Sequence, residues 1–260
     1  MVIQKIKISD KEFVKQYKEF NLAHRYIICE ACLKSFDLGN RAVRKSIGIE
    51  IISQYVGMLE DTAMIYYALK EKSKHKSFFK SLFEIFINEN SNSKYTSQKI
   101  YDELEKLEKI SIEDFLKKLN LPLSKEAVKL AEVPLINYLG GQEKAQEQFK
   151  KETTEILKQI KIAIGNRFKD KEGNQLHLVK VYNKIKHGSI FINNKTSEES
   201  VYFPIKIEDS DKQGRELLME AYNLICNKKE ELQKFVDNMK NLSDNLEKLL
   251  NRFCLYNYPS

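Results

Sequence analysis

The sequence predicts a mainly α-helical protein: an antiparallel helical bundle with a helical insertion and one β-hairpin. The chain has 260 residues but only nine glycines and four prolines, which is fewer turn residues than a sheet-rich protein needs. Hydrophobic residues make up 42% of the chain and charged residues 31%, and the apolar positions recur mostly at helical spacing. This balance excludes both a disordered chain and an integral membrane protein.

Two long helices are predicted within the first 74 residues. The first covers residues 9–38 and begins with a capping box formed by Ser9 and Glu12. The second covers residues 41–74, and because its middle is apolar on nearly every side we expect it at the centre of the fold. Three carboxylates that would be costly in lipid argue that this helix is a buried core element and not a membrane span: Glu50, Glu60 and Asp61.

The remainder of the chain is predicted to complete the bundle. Three further helices are expected at about residues 142–168, 175–187 and 211–252. Residues 76–139 are predicted to form a helical insertion. Two runs of β-branched and aromatic residues, 189–193 and 201–207, predict a β-hairpin over about residues 189–207. We expect the chain, residues 1–260, to fold as a single domain.

The charge is moderately basic and concentrated in one segment. The chain carries 44 Lys and Arg against 37 Asp and Glu, a net charge of +7, and only six of the basic residues are Arg. Between residues 150 and 186 there are ten Lys or Arg and four Asp or Glu. Such clustering is typical of a surface that contacts a phosphate backbone, although flexible lysines on a solvated helix give the same count.

One predicted helix gathers polar groups that could carry chemistry. On a helix, Lys180, Asn183 and Lys184 lie within about 60° of His187. A histidine can exchange a proton near neutral pH, and neighbouring ammonium groups can hold a phosphate. The alternative interpretation is a solvated lysine face with a histidine near a helix C-terminus, where the helix dipole favours the charged imidazole.

The segment from Asn183 to His187, late in a chain of long helices, resembles the signature of HEPN domains, which are common in bacterial toxins and in abortive-infection proteins of anti-phage defence. Their motif is an Arg, four to six residues and a His, with Asn or another polar residue often following the Arg. The resemblance implies a helical bundle, frequently dimeric, in which two motifs meet to form a metal-independent ribonuclease site. His187 would then act as general acid or base, Lys180 and Lys184 would bind the phosphate, and Asn183 would position it.

The chain departs from this family pattern at the arginine. With Asn183 aligned to the family's Asn, the position of the Arg is Tyr182, and with the longest spacing it is Lys180. Tyr182 supplies no positive charge, and Lys180 is a point charge without the planar fork of a guanidinium. Further basic groups nearby that could support the site are Lys186 and, across the preceding loop, Arg167.

Glu60 and Asp61 form a second candidate site because they interrupt an apolar stretch of the central helix. Buried carboxylates are costly unless they are paired, so either one could orient His187 or a lysine. The alternative, which the frequency of structural ion pairs favours, is a narrow polar edge or a salt bridge with an arginine. The arginines considered are Arg25, Arg41 and Arg44.

The other motifs argue against metal or cofactor chemistry. Cys29 and Cys32 have the spacing of zinc and redox sites, but they lie inside a helical run without a turn, so we interpret them as packing residues. The sequence contains no phosphate-binding glycine loop, dinucleotide fingerprint, serine nucleophile elbow or paired-histidine zinc helix. We therefore expect no cofactor and no metal.

These observations leave three hypotheses for function. The first is a HEPN-like defence or toxin protein that acts on RNA, in the form of a homodimer or with a partner protein of the defence system. The second is a non-catalytic helical protein that binds nucleic acid or a protein partner through its basic face. The third is a nucleotide-modifying enzyme that uses the same basic pocket. The N-terminus has no apolar run of signal-peptide length, so we expect a cytoplasmic protein without a membrane partner.

Overall fold

The computed structural model of the chain is mainly helical in the part that it describes. Its elements are α1 (Asp10–Tyr17), α2 (His24–Lys34), a 3-10 turn (Phe36–Leu38), α3 (Arg41–His75), α4 (Gln142–Gly165), β1 (Ser200–Ser210), β2 (Gly214–Asn223) and α5 (Lys229–Asn257). Residues 102–103, 105–109, 113–115, 182 and 184–185 are also helical. The described residues are 7–17, 22–75, 102–103, 105–111, 113–115, 140–165, 182, 184–185, 200–210, 214–223 and 228–257.

The chain divides into two compact units, each assembled from stretches that are far apart in sequence. Unit 1 consists of Met1–His24, Met58–Gly165 and Lys240–Ser260, and unit 2 consists of Arg25–Gly57 and Asn166–Met239. Helices α3 and α5 each contribute one part to unit 1 and the other part to unit 2.

Helix α3 contributes more buried apolar residues than any other described helix in each unit. It covers Arg41–His75, which confirms the helix predicted at residues 41–74. In unit 2 its buried side chains include Ile51, Ile52 and Tyr55, and in unit 1 every residue from 62 to 69 is buried. Full burial of one such aliphatic side chain contributes about 1.5–3 kcal/mol. The even distribution of apolar residues around α3 therefore requires neighbours on all sides.

In unit 2, α2 packs antiparallel to the first part of α3. Arg25 Nη1 donates a hydrogen bond of 2.9 Å to Gln54 Oε1, and at the other end of α2 the guanidinium of Arg44 lies 5.8 Å from the centre of the Phe36 ring. Gly57 makes this arrangement possible, because a Cβ atom at that position would lie 2.4 Å from Arg25 Nη1. The guanidinium therefore occupies the space that a side chain at position 57 would fill.

The first part of α5 also packs against α3 in unit 2. Asn238 Nδ2 donates a 2.9 Å hydrogen bond to the hydroxyl of Tyr55, and the ring of Phe235 lies 5.0 Å from the Tyr55 ring. At the start of the helix, Lys229 forms an ion pair with Asp37 in the 3-10 turn. The tyrosine hydroxyl is thus satisfied at the edge of an otherwise apolar contact.

The second part of α5 packs within unit 1. Arg252 Nη1 donates a 3.0 Å hydrogen bond to Thr153 Oγ1 and also pairs with Glu152, which joins α5 to α4. Ser243 Oγ donates a 2.8 Å hydrogen bond to the carbonyl of Leu22. The buried apolar residues along the whole of α5 recur at intervals of three and four up to Leu249, followed directly by Leu250: Leu232, Val236 and Met239 in unit 2, and Leu242, Leu246, Leu249 and Leu250 in unit 1.

Two local features agree with the predictions made from the sequence. The capping box at α1 forms as predicted: Ser9 N donates to Glu12 Oε2 at 3.1 Å and Glu12 N donates to Ser9 Oγ at 3.3 Å. Helix α4 starts at Gln142, directly after Gly140 and Gly141, whose φ angles of 82° and 112° are accessible mainly to glycine. The α4 helix confirms the prediction over 142–165, and residues 166–168 lie outside the described residues.

The single helix predicted for residues 9–38 is wrong in its middle and at its end. Helix α1 ends at Tyr17, Ala23 lies in a turn, and a new helix, α2, covers His24–Lys34 before the 3-10 turn. Apolar periodicity continues across the break, so it did not reveal the turn. At this point in the chain the carbonyl of Leu22 accepts the hydrogen bond from Ser243, and residues 18–21 lie outside the described residues.

The helix predicted for residues 211–252 is also wrong at its start. Strand β2, Gly214–Asn223, pairs antiparallel with β1, and α5 begins at Lys229. The short run Leu217, Leu218 and Met219 suits either a helix or a strand, and pairing with β1 decides between them. The predicted strand at 201–207 lies within β1, whereas its predicted partner, 189–193, lies outside the described residues.

Within the described ranges, no helix combines the length and the apolar character needed to cross a membrane.

We predict that Ser243→Ala lowers the free energy of unfolding by about 1–3 kcal/mol, because the substitution removes a buried hydrogen bond to the carbonyl of Leu22. Ser46 is the matched control, since its hydroxyl is exposed and bonds only to Ala42 of the same helix, so Ser46→Ala should change stability by less than about 0.5 kcal/mol. Urea unfolding followed by circular dichroism measures both variants. Equal effects of the two substitutions would contradict the assigned role of Ser243.

Candidate functional site

The predicted motif helix is described at three positions only. Tyr182, Lys184 and Ile185 are helical and partly exposed, and both Tyr182 and Lys184 interact with other groups. The local conformation at these positions agrees with the helix expected there. The other motif residues lie outside the described residues, so their roles stay predictions: Lys180, Asn183, Lys186, His187 and Arg167.

Glu60 and Asp61 lie on α3 in unit 1 and are half-buried, although the residues on either side of them are buried. Both carboxylates interact with other groups. The residue that follows them, Thr62, is 1% exposed, and its hydroxyl donates a 2.8 Å hydrogen bond to the carbonyl of Met58. This pattern agrees with a polar edge on a buried helix.

The buried carboxylate that the structure does reveal is Glu103 in unit 1. Glu103 is 3% exposed and accepts hydrogen bonds from Lys70 Nζ at 2.6 Å and from Lys106 Nζ at 2.9 Å. The side chain of Lys70 is 20% exposed and that of Lys106 is 59% exposed, so Lys70 forms the more shielded pair. A signal for this position exists in the sequence, because Glu103 precedes the buried Leu107 by four residues and so shares its apolar face.

Aromatic rings surround this ionic cluster. The Tyr66 ring stacks on Phe115 with a centroid distance of 5.3 Å, and Lys70 Nζ lies 5.6 Å from the Tyr66 centroid and 5.2 Å from the Tyr67 centroid. The hydroxyl of Tyr66 is buried and has no hydrogen-bond partner among the described residues. The rings shield the pair from water and strengthen its electrostatic attraction.

The electrostatics of this cluster fix its protonation state. Burial acts to raise the pKa of Glu103, but the hydrogen bonds and positive charges of Lys70 and Lys106 outweigh it and lower the pKa below the usual value for a glutamate. Burial, together with the charge of Glu103, raises the pKa of Tyr66 to about 12. At neutral pH the carboxylate is therefore ionised and the phenol is protonated, so the cluster is a structural ion pair and not a proton-transfer site.

The two cysteines of α2 also have pKa values that are shifted away from neutral pH. Cys29 is buried, and burial followed by the charges of Cys32 and Glu50 raises the pKa of its thiol to about 12. Burial also raises the pKa of the partly exposed Cys32. A thiol of this kind is a poor nucleophile and a poor metal ligand at neutral pH. The interpretation of the pair as packing residues agrees with these shifts.

The shifted groups of the described residues share one property. Each pKa that departs from its ordinary value moves away from neutrality: the carboxyl pKa values fall, and the thiol, phenol and ammonium pKa values rise. The groups are Glu12, Cys29, Cys32, Tyr66, Glu103 and Lys106. In the described ranges, no three His, Cys, Asp or Glu side chains are arranged to hold a metal ion.

Comparison with known proteins found no matching protein-family model, no similar curated protein and no similar solved structure.

We predict that Glu103→Gln destabilises the protein by about 2–3 kcal/mol at pH 7, because it removes the charge that holds Lys70 in a shielded site. The folded-state pKa of Glu103 is lowered, so its stabilisation is present above the ordinary glutamate pKa and is lost as the pH falls through the folded-state value. The difference between wild type and variant should therefore shrink below about pH 4. Urea unfolding at several pH values measures the difference in unfolding free energy between wild type and variant. A difference that does not change with pH would contradict the prediction.

We also predict that iodoacetamide at pH 8 leaves Cys29 unmodified in the native protein and modifies it in urea. Both cysteines of the pair lie between Arg25 and Lys34, so one tryptic peptide reports both and its fragment masses distinguish Cys29 from Cys32. Native labelling should add at most one group to this peptide, at Cys32. Native labelling at Cys29 would show that the thiol is accessible and ionisable.

Proposed function

We propose that this chain is a HEPN-like helical protein of a bacterial defence or toxin system and that it acts on RNA as a metal-independent endoribonuclease. The observation that carries the proposal is the sequence motif from Lys180 to His187, in which an imidazole, an amide and two ammonium groups are spaced so that they would share one face of a helix. Support comes from the mainly helical fold and from the helical conformation at residues 182 and 184–185.

The proposed chemistry uses a proton donor and acceptor beside cations. His187 takes the proton of the ribose 2′-hydroxyl or delivers one to the leaving oxygen, because histidine is the side chain type suited to proton transfer near neutral pH. Lys180 and Lys184 hold the phosphate and stabilise the charge that develops on it, while Asn183 positions it. Tyr182, Lys186 and Arg167 support the site. The shifts at Glu103, Cys29 and Tyr66 all move away from neutrality, which directs attention to the histidine.

The basic segment around the motif supplies the attraction for a polyanion. Residues 150–186 contain ten Lys or Arg against four Asp or Glu. Within α4, Glu152 pairs with Arg252, and Glu155 lies 4.0 Å from Lys158. Lys150 and Lys151 lie on the same helix and are exposed. These lysines would contact phosphates without reading sequence, and the resulting affinity would depend strongly on salt.

A second function is favoured by the missing arginine of the family motif. With Tyr182 or Lys180 in that place, the site lacks the planar fork that binds a phosphate through two hydrogen bonds. The alternative is a HEPN-like protein that binds nucleic acid or a protein partner without cleaving it. This alternative predicts retention of RNA that weakens steeply with salt and yields no products.

We predict that the wild-type protein cleaves labelled RNA in the presence of EDTA and that His187→Ala lowers the cleavage rate by about 10²–10⁴. His75→Ala is the matched control, because His75 lies at the end of α3 outside the motif and should leave the rate unchanged. A parallel incubation with free nucleotides tests the alternative of a nucleotide-modifying enzyme. Undiminished cleavage by the His187 variant would reject the catalytic role, and intact RNA with salt-sensitive retention would favour the binding function.

The role of the arginine in the family motif can be tested by introducing an arginine at position 182. If the resemblance is correct, Tyr182→Arg places a guanidinium directly before Asn183 and should increase the cleavage rate of the wild-type chain. The same substitution should increase RNA retention only slightly, since it adds one charge to a basic segment. An unchanged rate with intact binding would show that the motif does not form a HEPN-type site.

A further inference from the structure

The outer face of α2 in unit 2 is apolar and exposed. Ile27 is 52% exposed, Ile28 is 42% exposed, and Leu38, just beyond the helix, is 88% exposed. Ala31 and Ser35, which are also exposed, lie between them. On a helical projection the α2 residues of this face and Ser35 fall within a sector of about 100°. We call this set of five residues the α2 surface.

The α2 surface is not the side of α2 that packs against α3. The inner side of the helix carries the buried Cys29 and Leu33, and Arg25 on that side bonds to Gln54 of α3. A helix that is apolar on both sides is normally enclosed on both. In addition, four of the five large exposed hydrophobic residues among the described residues lie between positions 27 and 43, and the fifth, Ile162, lies on α4. The apolar exposure is therefore concentrated in one place.

The charges beside the surface are segregated along the helix. Glu30 and Glu50 lie towards the Ile28 end, and Lys34 and Arg44 lie towards the Leu38 end. Glu50 and Arg44 are exposed on α3, along the same edge of α2. Glu30 and Lys34 are successive positions on the opposite edge. Each edge thus carries an acidic group at one end and a basic group at the other.

We propose that the α2 surface is a self-association site that binds the same surface of a second copy of this chain, with the two α2 helices antiparallel. A two-fold axis across the helices near the midpoint of the surface places the isoleucines of one chain against Leu38 of the other. It also places Glu30 opposite Lys34, and Glu50 opposite Arg44, between the two chains. A parallel arrangement would instead bring like charges together, so charge complementarity selects the antiparallel dimer.

The shape of the surface agrees with this arrangement. The small residues Ala31 and Ser35 lie near its middle, where two crossing helices approach most closely, and the large apolar residues lie at its ends. The surface extends from Ile27 to Leu38, and the part of this range on α2, from Ile27 to Lys34, corresponds to about 10 Å of helix. A contact of this length and one helix wide lies at the small end of specific interfaces, so we expect a dissociation constant in the micromolar range.

The proposal rests on α2 and α3 alone and does not depend on the RNA-directed function. Sedimentation velocity over about 1–200 µM protein should show a monomer–dimer equilibrium for the wild-type chain. Leu38→Asp should weaken dimerisation on the order of a hundredfold, because it introduces an unpaired charge into the contact. Ile162→Asp is the matched control, since it places the same charge at an exposed isoleucine outside the surface and should leave the equilibrium unchanged.

A charge exchange tests the antiparallel geometry directly. Lys34→Glu should raise the dissociation constant about tenfold, because each of two symmetric contacts changes from attractive to repulsive. Adding Glu30→Lys to this variant restores opposite charges and should return the constant to within about threefold of wild type. Circular dichroism verifies that each variant keeps its helices. A monomeric wild type, a dimer insensitive to Leu38→Asp, or a double variant no better than Lys34→Glu would each overturn the proposal.

Discussion

Helix α3 is apolar and buried over most of residues 51–69, apart from the polar edge at Glu60 and Asp61, and this apolar surface has to be shielded from water. In unit 2 the shielding involves the aromatic contact between Tyr55 and Phe235 of α5. In unit 1 it involves Phe115, which stacks on Tyr66. Because burial of apolar area is the main favourable term in folding, the positions of the surrounding helices follow from the need to cover this one helix.

Several polar groups next to this apolar surface are satisfied locally, whereas the buried hydroxyl of Tyr66 has no partner among the described residues. Thr62 bonds to its own helix, Ser243 bonds to the carbonyl of Leu22, and Glu103 takes two lysines. Each of these hydrogen bonds or ion pairs lowers the free-energy cost of burying the polar group. In the case of Glu103, the two lysines also keep the carboxylate ionised at neutral pH. Groups held in this way are unsuited to reversible proton transfer near neutral pH. The residue to which we assign the catalytic role, His187, lies outside the part of the chain that the structure describes.

The sequence was sufficient to predict the elements with strong local signals. The continuous apolar character of α3, the capping box at Ser9 and the glycines before Gln142 each determine local structure through adjacent residues. The strand β2 was missed because Leu217 and its neighbours suit two conformations, and the choice depends on pairing with β1. Similarly, the partners of Glu103 include Lys70, which is 33 residues away, so periodicity could place the carboxylate on an apolar face without identifying what neutralises it.

The candidate site could be predicted only as far as one helix face. Spacing places Lys180, Asn183 and Lys184 beside His187, but it does not identify the groups that other elements bring to this face. Glu60 and Asp61 illustrate the same limit, because their position on α3 was predicted while their partial exposure depends on the elements packed around them. Contacts between distant segments are set by packing, which a single helical pattern does not encode.

The contact between Arg25 and Gly57 restricts how this protein can diverge. A methyl group at position 57 would displace the guanidinium from Gln54, although alanine is the better helix former. A larger residue there becomes acceptable once position 25 holds a shorter side chain, so the two positions should change together among descendants of this chain. Where a larger residue replaces the glycine and the arginine is kept, the guanidinium should occupy a different position from the one described here.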